Sequence, residues 1–269
     1  MDEFRRLVWD YYVSNGRHDL PWRRLPEDST QRFYRVIVSE IMLQQTGVQR
    51  VIEKFTQWMQ KYPKLHDAAD APFSDVLLLW HGLGYNRRAL YLHEALNMVH
   101  HDGIPKDIES LTELKGIGLN TAGALMAYVY NKPAVFVETN IRTVYIHHFF
   151  HSKEKVDDKE LLPVIRESLK DQDPREWYWA LMDYGTHLKK SSRAHRSSAQ
   201  YKKQSPFEGS LRQLRARILR ELSLSPQSMT MLTNRFNDER LGVALEQLTR
   251  EKLVQYSGDV YAIAGVVVK

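Results

Sequence analysis

The sequence contains no cysteine in its 269 residues. Disulfides, thiolate-held iron–sulfur clusters and cysteine-ligated zinc are therefore excluded. No apolar run approaches the roughly eighteen residues that read as a membrane-spanning helix. The opening, MDEFRRLVWDYY, has no long apolar core of the secretory kind. The expectation is a cytoplasmic protein, nucleoid-associated if it binds DNA, with no membrane partner. No internal repeat is visible. With 43% hydrophobic and 26% charged residues the composition is that of an ordinary globular protein, long enough for one large or two ordinary domains. The formal charge of +5 favours a polyanionic partner. That excess is uneven: from Lys189 to Arg220 there are ten Lys or Arg and one acid, Glu208.

What is present centres on residues 111–144. Leu114-Lys115-Gly116-Ile117-Gly118 reads as a hairpin between helical segments, with two glycines that permit a tight turn and leave backbone amides uncovered. The helix expected over 121–130 opens with Thr121 as a cap candidate, and its N-terminus would suit a phosphate. The apolar run 133–137 then delivers Glu138, followed by Asn140 and Arg142. A phosphate grip followed about twenty residues later by a carboxylate suggests chemistry on a nucleic acid; a helix turn with a surface Glu is the structural alternative.

Helical spacing covers 3–15, 31–46, 48–62, 73–80 and 89–101, and again 158–169 and 174–188. Between the first two lies a Pro-broken loop carrying Arg17, Arg23, Arg24 and an exposed-type Trp22, either a DNA- or base-contacting loop or a solvated one with Trp22 as its anchor. Glu40 falls inside an apolar helical run, where burial would raise its pKa and suit it to donate a proton; an edge Glu is the alternative. His81-Gly82-Leu83-Gly84-Tyr85-Asn86-Arg87-Arg88 is a glycine-flanked loop with an aromatic beside two arginines, able to approach a backbone closely. Residues 189–210 are basic and nearly free of aliphatics, a linker or phosphate-contacting arm. From 211 onward, helices at 211–222, near 228–236 and near 240–251 precede two alternating runs about Gly258, the pattern of a winged helix-turn-helix.

Five segments, RHDLPWR (17–23), SEIMLQQT (39–46), GLGYNRR (82–88), LKGIGLNTAG (114–123) and ETNIRTV (138–144), stand in the order found in one family. Together they resemble the helix-hairpin-helix (HhH-GPD) DNA glycosylases, nearest the MutY adenine branch, over about residues 4–188. The resemblance implies an all-α, two-lobed HhH-GPD glycosylase domain over 1–188, with the DNA and active-site cleft between the lobes. A basic linker or arm (189–210) and a small α+β winged-helix domain (211–269) follow. It implies that Glu40 protonates the leaving base and that Glu138 stabilises the sugar cation, with Asn140 beside it. Arg17, Trp22, Arg23, Leu43, Gln45 and Asn120 would line the base pocket. Gln44, Thr46, Leu83, Gly84, the wedge Tyr85 and Arg87 would meet DNA, as would Lys115, Gly116, Ile117, Gly118 and Thr121. Lys189, Lys190, Arg193 and Arg196 would add phosphate contacts. The implied partner is duplex DNA with a mispaired or damaged base, bound by a monomer.

Four departures qualify the match. Glu138 replaces the family's Asp. Asn120 stands where bifunctional members carry a Schiff-base lysine, which implies weak or absent lyase chemistry. The basic stretch replaces the four-cysteine cluster loop, so no iron–sulfur cofactor and no protein metal site is expected; related hairpins often hold a structural monovalent cation through carbonyls, and that stays open here. A winged helix stands in place of the C-terminal domain that reads oxidised guanine. The leading expectation is a monofunctional glycosylase removing adenine opposite guanine or 8-oxoguanine. The alternatives are a uracil or thymine mismatch glycosylase, or an inactive lesion-binding protein.

Overall fold

The computed structural model describes residues 1–192, 197–200 and 206–266; Arg193 and Arg196 lie outside them. Contacts between elements group the chain into two compact units, Met1–Val36 with Pro105–Glu113 and Ile117–Lys203, and Ile37–Ile104 with Leu114–Gly116 and Gln204–Lys269. Helix α2 (Ser29–Leu43) contributes to both.

The first unit is helical. It holds α1 (Asp2–Asn15), α7 (Ile108–Glu113), α8 (Leu119–Tyr130), α9 (Thr139–Phe149), α10 (Asp158–Leu169) and α11 (Pro174–Ser191). Helix α11 is its axis, packing on α9, α1 and α8. Trp177 and Tyr178 are fully buried, Trp177 edge-on to Phe4 and Tyr178 against Phe136 at 4.1 Å between ring centroids. Burying rings of this size contributes on the order of 2–3 kcal/mol each. The helix starts are chemically marked: Asp173 caps α11 ahead of Pro174, and Asp157 with Glu160 forms a capping box on α10.

The second unit holds α3 (Val48–Lys61), α4 (Leu65–Ala69), α5 (Phe73–Trp80) and α6 (Arg87–Asp102). To these are added α12 (Leu211–Leu224), β1 (Gln227–Ser228), α13 (Met229–Phe236), α14 (Leu241–Arg250), β2 (Val254–Ser257) and β3 (Val260–Ile263). Helix α6 packs on α4 and α5, while α12 packs on α5, α14 and β3. The antiparallel sheet runs in the order β1-β3-β2, with Tyr256 opposite Tyr261 across the hairpin. The winged-helix pattern read from 211 onward is thus present as a small α+β assembly with one added strand. No described helix is long and apolar enough to cross a membrane.

The helix read over 31–46 runs over Ser29–Leu43, and three further differences from the sequence reading bear on the site. Helix α8 starts two residues before Thr121, and its N-cap is Gly118 without a side-chain cap bond, so Thr121 sits inside the first turn. Helix α11 continues to Ser191, placing Lys189 and Lys190 on its last turn. Beyond it, Ser198 pairs with Val156: the Val156 amide donates to Ser197 and accepts Ala199 on its carbonyl, so part of the basic stretch is folded into the first unit.

Candidate active site

Glu138 is the N-cap residue of α9, in extended backbone, where the exposed amides of a helix start favour negative charge. Burial pushes its pKa up; the charges of Lys189 and Arg142 and the Thr139 amide pull it back. Arg142, one turn along α9, is held by Asp158 through two bonds of 2.6 and 2.8 Å. The run that leads into Glu138 is fixed by Asn120, whose side-chain oxygen accepts the Val137 amide at 3.1 Å. Asn120, expected on a pocket wall, is therefore engaged in holding this backbone. Asn140 lies near Met182, 3.8 Å from its sulfur, and its carbonyl faces Gly185 of α11. A Cβ on Gly185 would come within 2.4 Å of that oxygen, so only glycine lets α11 approach the start of α9 this closely.

The 17–23 loop is organised by a residue that the sequence reading passed over, Asp183 on α11. Arg23 grips its carboxylate with two bonds of 2.8 Å, and Arg17 adds its backbone amide and Nε at 2.7 Å each. Burial alone would raise the Asp183 pKa, but these two arginines outweigh it and hold it below the ordinary value. Arg23 and Trp22 are both buried, at 9% and 7% exposure. Trp22 is thus the anchor, the second of the two readings its loop allows. Arg23 is committed to Asp183, and only Arg17 keeps an exposed edge, with 29% of its side chain accessible.

In the second unit Glu40 lies on α2 next to the buried Ser39 and Ile41 and is itself partly exposed. The helix ends in a turn through Gln44 and Gln45, the latter at φ 55°. Leu43, Gln44 and Thr46 are partly exposed and Gln45 is exposed. This turn is tied to the glycine-flanked loop by Arg88, one of that loop's two arginines, to which the sequence assigns no site role. Its guanidinium donates to the carbonyls of Ile41, Met42 and Gln44 and to the Thr46 hydroxyl. It also donates to the carbonyls of Leu83 and Gly84. Burial lowers its pKa to about 10, which leaves it a cation at neutral pH.

Leu83, placed with the DNA contacts by its motif, is turned inward at 3% exposure. Gly82 and Gly84 have φ of 96° and 73°, and Tyr85 follows at φ 49° with its ring exposed. The Arg212 guanidinium lies 6.0 Å from that ring and donates to its hydroxyl at 3.2 Å. Arg87 is exposed and rests over Tyr91. At the hairpin, Gly116 has φ 78° and abuts Tyr91, and Lys115 is exposed; Ile117 is buried. Gly118 and the start of α8 are open to solvent, with Thr121 partly so. In the C-terminal assembly α14 exposes Gly242, Val243, Glu246, Thr249 and Arg250, and Arg250 is paired with Glu246. That face is not cationic. Among the described residues no group of His, Asp and Glu suited to a metal is gathered.

Residues 38–167 match the family described as HhH-GPD superfamily base excision DNA repair protein. The adenine DNA glycosylase of Homo sapiens is 40% identical over 148 residues, 52% of this chain and 27% of that protein. That of Buchnera aphidicola subsp. Acyrthosiphon pisum is 31% identical over 191 residues, 69% of this chain and 53% of that protein. The chain thus spans about half or less of the length of these relatives. A solved thermostable thymine-DNA glycosylase superposes with a TM-score of 0.59 at 24% identity, covering 68% of this chain and 87% of that one. The H. pylori 3-methyladenine DNA glycosylase bound to 1,N6-ethenoadenine gives 0.53 at 15%, covering 70% and 97%. At those identities the two structures speak for the fold alone.

Proposed function

Residues 38–167 belong to the HhH-GPD superfamily of base excision DNA repair proteins, and on that premise we propose that the chain is a monofunctional DNA glycosylase that removes adenine mispaired with guanine or 8-oxoguanine. The observation that carries this reading is that the matched segment contains both carboxylates such chemistry needs, Glu40 within α2 and Glu138 at the N-cap of α9. Glu40 donates a proton to the extruded adenine, and the base leaves with the electron pair of the glycosidic bond. Glu138, as an anion, stabilises the sugar cation, with Asn140 beside it. Water then adds to the sugar carbon and gives up a proton to a carboxylate. One acid and one anion held in different environments is a division of labour that a single carboxylate cannot supply.

With Asn120 at the position of the bifunctional lysine, the chain has no amine there to form a Schiff base, which supports hydrolysis without strand cleavage. Arg17, Trp22 and Arg23, braced by Asp183, serve base recognition from the first unit, and Leu43 and Gln45 serve it from the second. The Gln44–Thr46 turn, the Gly84–Arg87 loop with Tyr85 as wedge, and the hairpin at Lys115–Gly118 with Thr121 meet the duplex. Extruding a base costs a few kcal/mol, which wedge and phosphate contacts offset. Lys190 extends the phosphate contacts. A monovalent cation on the hairpin carbonyls belongs to the same proposal; duplex affinity compared in potassium and tetramethylammonium chloride at one ionic strength tests it.

The reading is tested with labelled duplexes carrying A, T, U or a damaged base opposite G, C or 8-oxoguanine, followed by alkali. Release of adenine opposite G or 8-oxoguanine, with no strand breakage before alkali, is expected. Release of thymine or uracil alone would replace adenine as the target, and no release from any duplex would sink the enzyme reading. Glu40→Gln should abolish release, by at least about a hundredfold for a lost general acid, while duplex affinity is kept.

A further inference from the structure

Tyr85 stands on a backbone that leaves it little choice of place. Its φ of 49° lies in the left-handed region, which ring-bearing residues rarely adopt. The loop is pinned by Arg88, whose amide donates to the Tyr85 carbonyl at 2.8 Å and whose guanidinium takes the Leu83 and Gly84 carbonyls. With the backbone fixed, what remains is rotation of the ring about its side-chain bonds. The ring is 41% exposed, so packing alone does not settle that rotation. Two cations act on it. Arg88 lies 5.5 Å from the ring centroid, and Arg212 lies 6.0 Å away and donates to the hydroxyl at 3.2 Å. A hydrogen bond at the far end of the ring fixes its direction more sharply than a cation beside its face.

Arg212 belongs to the C-terminal assembly and is itself rooted there. It is the second residue of α12, whose N-cap Ser210 accepts the Gln213 amide. The Gln213 side-chain oxygen accepts the Gly209 amide at 2.8 Å. The Gly209 carbonyl takes the Arg240 guanidinium at 2.9 Å, and Asp238 holds that guanidinium through bonds of 2.9 and 2.7 Å. The start of α12 is thus tied to the turn between α13 and α14, and its second residue ends on the Tyr85 hydroxyl. Arg212 lies outside all five segments that carry the resemblance, so the resemblance assigns it nothing. We propose that Arg212 is a positioning residue for Tyr85, through which the C-terminal assembly sets the direction of the wedge ring. The proposal rests on the glycosylase reading for what the ring does; the hold on the ring stands apart from it. It gives the winged-helix segment a part in base extrusion that needs no DNA contact from α14.

The first test reads the ring without DNA, by NMR of the whole chain with 13C-labelled tyrosine rings. The Tyr85 signal is identified by its loss in Tyr85→Phe. In Arg212→Met it should move and sharpen toward that of an unrestrained tyrosine, and in Arg212→Lys it should move back in part. Unmoved signals of Tyr256 and Tyr261, 4.7 Å apart across the hairpin, show that the C-terminal assembly is still folded. A Tyr85 signal unaltered in Arg212→Met overturns the proposal, whether or not the chain releases any base. The second test follows base extrusion, by the fluorescence of 2-aminopurine placed beside an adenine–8-oxoguanine mispair. Arg212→Met should lower extrusion by about two- to fivefold, the size of a cation–π contact at an exposed site. Combined with Tyr85→Ala it should lower extrusion no further than Tyr85→Ala alone; losses that multiply overturn the proposal. Tyr85→Phe leaves α12 intact and removes only the hydroxyl, and full wild-type extrusion by that variant overturns it as well. Removing a phosphate contact lowers the slope of log affinity against log salt by about 0.9. An unchanged slope is expected for Arg212→Met, and a fall of that size makes Arg212 a DNA contact instead. Absence of base release by the wild type would count against the glycosylase reading, and the NMR signals would still decide on the hold on the ring.

Discussion

Asp183 is one carboxylate serving two guanidiniums and a backbone amide at 2% exposure. Asp183→Asn leaves two arginines facing a neutral amide in a buried place. The expected loss is about 3–5 kcal/mol, read by urea denaturation. Because its pKa lies below the ordinary carboxylate value, the stability it contributes is present at neutral pH and is lost as pH falls through that lowered value. His148 acts in the same direction by another route. Burial, helped by His147, lowers its pKa from 6.5 to about 4, and its Nε2 lies 3.0 Å from the Tyr184 hydroxyl. Between those two pH values the unfolded chain takes up a proton that the folded chain refuses, so stability should fall as pH drops across that window. His148→Gln, which does not titrate, should flatten Tm against pH there; an unaltered slope would show that His148 is not its source. At this scale the sequence displays carboxylates and glycines in motifs, and Glu40 and Glu138 are visible for that reason. Asp183 and Arg88 are not, because their partners are residues some 160 positions away or main-chain carbonyls, which no spacing rule reveals.

The long amphipathic helices were legible because an apolar face repeats over several turns: α5 and α10 lie where the spacing puts them, and α1, α3 and α6 differ at their ends only. Shorter elements were not. Helix α4 has five residues, α7 six and β1 two, too few for a period to be counted. Helix α11 runs to Ser191, past the 174–188 that spacing predicts, because Lys189 and Lys190 look like linker in sequence, yet cations suit the last turn of a helix. The fit of α11 to α9 hangs on one missing methyl. Gly185→Ala puts a carbon 2.4 Å from the Asn140 oxygen, and the two helices must separate. We expect a loss of about 1–3 kcal/mol, as overpacking of this kind costs, together with an altered Glu138 titration. Calorimetry on the variant checks the first; wild-type stability would mean that the helices part freely.

At the scale of the whole chain, contacts between elements place 204–269 with 37–104 in one compact unit. The reason is α12, which buries Leu214, Ile218, Leu219 and Leu222 and packs on α5 as well as on its own neighbours α14 and β3. Such pairing of distant segments leaves no trace in local spacing. A chain cut after Gln200 bares the face of α5 that α12 covers. With roughly 1.5–3 kcal/mol at stake for each large aliphatic side chain, we expect it to show a clearly lowered Tm or to precipitate, as thermal shift and sedimentation would report. A cut chain as stable as the full one would make the C-terminal segment a true appendage.

That packing also brings Arg212, near the start of α12, to the Tyr85 ring, which the Arg88 guanidinium approaches within 5.5 Å. Two guanidiniums beside one exposed ring narrow the orientations it takes before any duplex arrives. Pressing it between bases then orders less of the protein, so on the proposed function a larger share of the opposition to each trial insertion comes from the stacking of the DNA itself. Well-stacked pairs would be passed over in brief encounters, while weakly stacked mispairs yield. Sorting would then begin during the search along the duplex, as a difference in dwell time, before either carboxylate is called on.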